Sequence, residues 1–185
     1  MLGVWIAVGV VVLLLLWFIV TYNRLVSQRN LVQEAWSGID VQLKRRADLV
    51  PNLVETVKGY AGHERETLDR VISARAGLVA AAGARAAGEA DDQLERALGS
   101  LFAVAEAYPD LKASTNFLEL QRELSTLEED ISFARRYYNA TVRKFNDMQQ
   151  QFPTVLIAGL LGFRRGEFFK AEEDEREAPG ASFAT

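Results

Sequence analysis

The residues that could carry catalysis or bind a metal are few. His63 is the only histidine, and it precedes Glu64, a pair that occurs on zinc-protease helices together with a second histidine. That second histidine is missing, and no cysteine is present to supply a thiolate ligand. Ser37 with Asp40 lacks the neighbouring histidine base that would activate a serine nucleophile. These patterns favour a protein that is not an enzyme, and we expect neither a metal nor a cofactor.

Two charged clusters are the next candidates for binding. The acidic cluster consists of Glu123, Glu128, Glu129 and Asp130, and the basic cluster of Lys44, Arg45 and Arg46. Helical di-metal sites use Glu-x-x-His pairs, so the acids favour a solvated, ion-paired face. The basic cluster begins about 33 Å along a helix from Tyr22, several times the screening length of about 8 Å. This distance favours internal pairing or a protein partner over lipid headgroups, unless the bundle lies flat on the membrane. A formal charge of −4 also disfavours nucleic acid as a partner.

The elements that position these residues begin with an apolar segment. Residues 2–20 are 19 consecutive residues without charge, and a helix of that length nearly spans a hydrocarbon core of about 30 Å. A cleavable signal peptide is disfavoured, because nothing basic precedes the run and its exit is bulky. We predict a transmembrane anchor over residues 1–22 that contacts the lipid bilayer. The residues expected to face lipid include Leu2, Trp5, Leu13, Leu16, Trp17 and Val20.

Positive charge near the anchor predicts its orientation. Arg24 and Arg29 follow the apolar run, whereas only the terminal amine precedes it. Because lysine and arginine accumulate on the cytoplasmic side, we expect a single-pass protein of the cell membrane with its N-terminus outside and its body in the cytoplasm.

Apolar residues then recur at spacings of three and four, which predicts helices. A first long helix follows over residues 24–61, with a kink expected near residues 47–50 because of Pro51. The last helix carries a heptad stripe from Phe117 to Phe152, is ended by Pro153, and should supercoil against a partner. Between them lie two shorter helices; the third starts at Asp91, and residues 80–89 are either extra helix or loop.

Short connections make successive helices antiparallel neighbours. The predicted fold class is therefore all-α: an N-terminal transmembrane helix followed by an antiparallel four-helix bundle with two long helices, the first and fourth, and two short ones, the second and third. We assign the bundle to residues 23–153. If Tyr22 and Phe152 both lie near the membrane, each residue of the first long helix faces a residue of the last one. The sequence numbers of two such facing residues then add up to about 173.

This register predicts specific pairs along the two long helices. Trp36 should lie opposite Tyr137 or Tyr138, as an aromatic core contact. The basic cluster should lie opposite residues 128–130 of the acidic one. Polar residues that are partly buried between long helices would fix the register at some cost in stability. The candidates are Asn30, Asp40, Asn116 and Asn139.

The last helix returns the chain to the membrane. Residues 154–170 are apolar and aromatic but too short to span a bilayer. Two interpretations stay open: contact with anionic lipid headgroups, or packing against the base of the long helices. The residues expected to make the membrane-proximal contact are Phe163, Arg164, Arg165, Phe168 and Phe169. Residues 171–185 predict an acidic, disordered tail.

Blocks of sequence along nearly the whole chain, outside the tail, resemble one family. The longest are AWSGIDVQLKRR (residues 35–46), DLVPNLV (48–54), YPDLKA (108–113), YNRLV (22–26) and VKGYA (57–61). Shorter ones are Arg29-Asn30, His63-Glu64, Asn116-Phe117, Arg135 with Tyr138-Asn139, Phe145-Asn146, and Gly162-Phe163 with Phe168-Phe169. The sequence is similar to the LemA family. The resemblance implies a small bacterial membrane protein with one N-terminal transmembrane helix and a helical-bundle body, and it implies no particular chemistry.

Two functions are consistent with these features. The favoured one is a membrane-anchored, non-enzymatic scaffold or adaptor that self-associates as a homo-oligomer. The alternative is a regulator or signalling partner of a membrane enzyme or an envelope-stress system, for which the short outer N-terminus offers little sensing surface. A protein partner is expected in the second case, but the sequence does not identify it.

Overall fold

The structure is a computed structural model that describes residues 1–169. Within those residues it contains helices and no strand, which confirms the predicted all-α class. The helices are α1 (Leu2–Ala61), α2 (Arg65–Ala80), α3 (Ala84–Ala105), α4 (Pro109–Lys112), α5 (Thr115–Gln150) and α6 (Thr154–Leu160). The predicted acidic tail at residues 171–185 lies outside the described residues.

Helix α1 joins the apolar segment to the body of the protein without a break. It runs for 60 residues, or about 90 Å at 1.5 Å per residue. Pro51 lies inside the helix, which continues past it to Ala61. The N-terminal part of α1 is long and apolar enough to cross a membrane. None of the residues in its 18-residue apolar window is buried inside the protein. Within residues 2–20 only Phe18 is half-buried; the other side chains are exposed.

The prediction that the third helix starts at Asp91 is wrong. Helix α3 begins at Ala84, directly after Gly83, whose φ of +87° is a conformation that glycine adopts without strain. Most of the alanine-rich run that could have been loop is therefore helix. Asp91 lies in the second turn of α3 and is buried. An aspartate often begins a helix, but the same residue can also be the buried partner of a distant cation, and its local sequence does not distinguish the two cases.

The chain divides into two compact units, of which the first is a helical bundle. This bundle unit comprises Asp40–Ser132 together with the described residues Phe168 and Phe169. It contains the C-terminal part of α1, all of α2, α3 and α4, and the N-terminal part of α5. Its core is formed by apolar side chains at helical spacing. They include Leu43, Val50, Leu53, Val57, Val71, Leu94, Leu101, Leu111, Phe117, Leu124 and Ile131.

The second unit, the anchor unit, comprises Met1–Ile39 and Phe133–Glu167. It contains the N-terminal part of α1, the C-terminal part of α5, α6 and the segment that follows α6. The core consists of Leu25, Phe145, Ile157 and Ala158, and the half-buried side chains packed against it are Phe18, Val32, Met148 and Phe163.

One residue at the end of the predicted heptad stripe is exposed. Phe152 is 81% exposed, because α5 ends at Gln150 and the chain changes direction before Pro153. The stripe therefore stops one position earlier than the sequence indicated, at Met148.

Candidate functional site

A buried ion cluster joins three helices of the bundle unit. The guanidinium of Arg46 on α1 is only 3% exposed, and its Nη1 donates to Oδ1 of Asp91 on α3 at 2.6 Å. Its Nη2 donates to the carboxylate of Glu128 on α5, which is partly exposed. A buried arginine with two carboxylates fixes how the three helices align, since each charge would be costly to bury alone.

The other members of the two charged clusters do not come together. Lys44 pairs with Asp40 on its own helix at 2.5 Å; the Lys44 side chain is exposed and that of Asp40 is half-buried. Arg45, Glu129 and Asp130 are exposed. Across residues 1–169, no group of three or more His, Cys, Asp and Glu side chains is placed to hold a metal ion. The clusters thus contribute one buried contact and otherwise form solvated surface.

Burial changes the acidity of the carboxyl group of Asp91. Desolvation raises the pKa of Asp91 above its usual value of 3.8, and the attraction of Arg46 opposes that rise without cancelling it. The folded protein therefore holds the Asp91 proton more tightly than the unfolded chain does. Between pH 3.8 and the raised folded pKa, folding takes up a proton, so the contribution of Asp91 to stability falls as pH rises through this window.

This proton uptake predicts an unusual pH dependence. We expect the free energy of unfolding of the unmodified protein to rise, relative to that of Asp91→Asn, as pH falls from 7 toward 4. Asp91→Asn removes the titrating group, whereas a Glu129→Gln control removes an exposed carboxylate. Thermal unfolding followed by circular dichroism in mild detergent measures both differences. A difference between the protein and Asp91→Asn that stays constant with pH would contradict the raised pKa.

Aromatic and polar side chains of the anchor unit hold the segment that follows α6. The structure brings Trp36 and Tyr138 together, with ring centroids 5.9 Å apart. The Tyr138 hydroxyl donates to the carbonyl oxygen of Glu167 at 2.7 Å. Burial raises the pKa of Tyr138 to about 12, so this phenol keeps its proton at neutral pH and remains a donor.

Asn146 and Gln149 bind the main chain of the same segment. Asn146 Nδ2 donates to the carbonyl of Gly166 at 3.0 Å, and the Gly166 amide donates back to Asn146 Oδ1 at 2.8 Å. Gln149 donates to the carbonyl of Arg164. The close approach suits a glycine, because a Cβ at Gly166 would lie 3.3 Å from Cγ1 of Val142. We call residues 163–167 the C-terminal strap.

The strap begins with an aromatic side chain that is turned into the unit. The ring of Phe163 lies 6.3 Å from that of Tyr22 and 6.5 Å from that of Phe145, both nearly edge to face. The guanidinium carbon of Arg29 lies 5.6 Å from the centroid of the Phe163 ring, a cation–π distance. Phe163 thus links the part of α1 that directly follows the apolar segment to the last turns of α5.

The predicted membrane-proximal residues do not share one environment. Arg164, Arg165 and Phe168 are exposed, but Phe163 packs internally and Phe169 is only 1% exposed. Apolar rings are as well suited to a protein core as to lipid, so sequence pattern could not separate the two cases. By contrast, every predicted lipid-facing residue of the anchor is exposed, from 37% at Trp17 to 77% at Leu2.

The polar residues expected to fix the register are also placed differently. Asn30 and Asn116 are exposed, and Asn116 donates to the Thr56 hydroxyl at 2.9 Å. Asp40 and Asn139 are half-buried. Buried polar contacts are made instead by Asp91, Asn146 and Gln149, among others, and these three were not among the predicted register residues. The available signal was the position of Asn146 and Gln149 beside the apolar stripe of the last helix.

Comparisons with known proteins identify the family. The model of the LemA family matches residues 35–183. Protein LemA of Metamycoplasma hominis is 32% identical over 155 residues, which cover 83% of this chain and 71% of that protein. Magnetosome protein MamQ 2 of Paramagnetospirillum magneticum is 27% identical and magnetosome protein MamQ of Magnetospirillum gryphiswaldense 26% identical; each match covers 80% of this chain and 64% of the relative. With its all-helical structure and an apolar N-terminal helix that could span a membrane, this chain belongs to the LemA family.

Proposed function

We propose that this protein is a membrane-anchored scaffold or adaptor of the LemA type that self-associates at the cell membrane. Residues 2–20 act as the anchor, with the N-terminus outside and the bundle unit in the cytoplasm. The exposed apolar surface of that segment supports anchoring, because in water it would be a large unfavourable patch, whereas in a bilayer it is solvated by lipid.

Self-association is supported by one face of α1 that no other helix covers. Directly after the anchor, Leu25, Val32 and Ile39 turn one side of α1 inward. The opposite side forms an open groove of about 410 Å³ that is lined by α1 alone. Its lining residues are Asn23, Val26, Ser27, Asn30, Leu31 and Glu34. We call this surface the α1 groove face.

A second copy of the chain is the occupant that best suits this face. Two copies anchored in one membrane hold their α1 helices parallel and at the same depth, so identical residues meet across a two-fold axis. Asn23 and Asn30 are seven residues apart, which is the heptad repeat of two parallel paired helices. Both asparagines would therefore face the partner helix. Val26 and Leu31 are half-buried and supply apolar area between the polar residues.

Cysteine crosslinking tests this arrangement directly, because the chain has no cysteine of its own. We expect Asn30→Cys and Ser27→Cys to form covalent dimers in membranes under mild oxidation. A matched control is Gln33→Cys, which is also exposed but lies about a quarter turn from the centre of the face. The measurement is the dimer fraction on a non-reducing gel.

The results separate three cases. A high dimer fraction at Asn30 and Ser27, with little at Gln33, supports a parallel pair through the α1 groove face. Equal crosslinking at all positions would indicate random collision and contradict this face. A monomer that co-purifies with one stoichiometric protein would favour the regulator instead of the scaffold.

A further inference from the structure

Helix α6 has two apolar sides, and only one of them is covered. Ile157 and Ala158 are buried in the core of the anchor unit. The other side exposes 62% of Leu156 and 78% of Leu160, both large apolar side chains. Further apolar residues extend this exposed surface on both flanks. They are Phe152, Val155 and Leu161. We call these five residues the α6 outer face.

The position of α6 indicates what meets this face. Its inner side packs in one cluster with Leu25 and with Phe18, and Phe18 belongs to the last turn of the apolar segment. Helix α6 therefore lies beside α1 close to the end of the apolar segment, where α1 would leave the membrane. At this depth an outward-facing leucine meets the boundary between headgroups and acyl chains.

The length and flanking charges of α6 fit that depth. Seven residues make about 10 Å of helix, far less than the thickness of a bilayer, so α6 would lie at the surface and not cross. Arg164 and Arg165 follow it and are exposed, as suits residues beside anionic headgroups. The C-terminal strap follows α6 and is held by Asn146 and Gln149, which fixes the position of the C-terminal end of α6.

We propose that α6 is a second membrane contact, in which the α6 outer face inserts into the interface of the leaflet that α1 leaves. The inserted residues are Phe152, Val155, Leu156, Leu160 and Leu161, whereas Phe163 and Phe169 stay inside the protein. This inference rests on the proposed membrane anchor. It extends that proposal, because a protein held at two points on one leaflet has a restricted tilt.

Spin labelling of the full-length chain tests the insertion. A nitroxide is attached to a single cysteine at Leu156→Cys or Leu160→Cys, and the protein is placed in vesicles of phosphatidylcholine and phosphatidylglycerol. Collision with oxygen, which concentrates in lipid, is compared with collision with a water-soluble nickel complex. Leu14→Cys in the anchor is the lipid reference, and the exposed position Arg136→Cys on α5 is the water reference.

We expect labels at Leu156 and Leu160 to favour oxygen, as at Leu14, and the label at Arg136 to favour nickel. Both α6 positions are exposed, so the labels should leave the helical circular dichroism unchanged, and each position checks the other. Nickel access at both α6 positions, with Leu14 still in lipid, would overturn the α6 contact and leave the anchor intact. Protection from both reagents would also overturn it, since another protein would then cover α6. Nickel access at Leu14 would overturn the anchor itself.

Discussion

Replacing Arg46 with alanine should lower the free energy of unfolding by about 3–5 kcal/mol, the range for removing one partner of a buried ion pair. Arg46 is 3% exposed and pairs with Asp91, itself 8% exposed, and with Glu128. Without the guanidinium, Asp91 remains buried without its cation and must either stay charged or take up a proton. Thermal unfolding followed by circular dichroism in mild detergent measures the loss.

The neighbouring arginine provides a matched control. Arg45 is exposed, so Arg45→Ala should change stability by no more than about 0.5 kcal/mol. The double variant Arg46→Met with Asp91→Leu should regain most of the loss, because apolar residues of similar volume can replace a buried pair. Equal effects of Arg46→Ala and Arg45→Ala would show that the cluster does not hold the bundle unit together.

Replacing Phe145 with alanine should cost about 3–5 kcal/mol in the anchor unit, the usual cost of removing a buried phenylalanine. Phe145 is 3% exposed and packs in one cluster with Leu25, Ile157 and Ala158. Its ring also meets that of Phe163 at the start of the C-terminal strap. The cavity would loosen α6, so hydrogen exchange of the α6 amides should accelerate most.

An exposed phenylalanine on the same helix is the control. Phe133 is 68% exposed, and Phe133→Ala should leave both the unfolding temperature and the α6 amides nearly unchanged. Hydrogen exchange followed by mass spectrometry resolves α6 from the rest of the chain. If the α6 amides of Phe145→Ala exchange as slowly as those of the unmodified protein, this core does not hold α6 in place.

The periodicity of apolar residues predicted the long helices. The stripes at spacings of three and four predicted the two long helices, and the uninterrupted apolar run predicted a helix that could span a membrane. These features depend on local physical chemistry: helix geometry repeats every 3.6 residues, and a span needs about 20 apolar residues. The blocks of sequence similar to the LemA family were also readable in the sequence, and the family match confirms that identification.

The tertiary structure decided which polar and aromatic residues are buried. Asp91 could begin a helix or pair with a distant arginine, and only the packing of α1 against α3 made it the partner of Arg46. Phe163 and Leu160 are both apolar residues near the end of the chain, yet the first packs on Tyr22 and the second is 78% exposed. Helix periodicity is set by neighbours three and four residues away, so the sequence alone determined the long helices and the fold class. Burial is set by neighbours that are distant in the sequence, so the contacts of these residues were decided only by the tertiary structure.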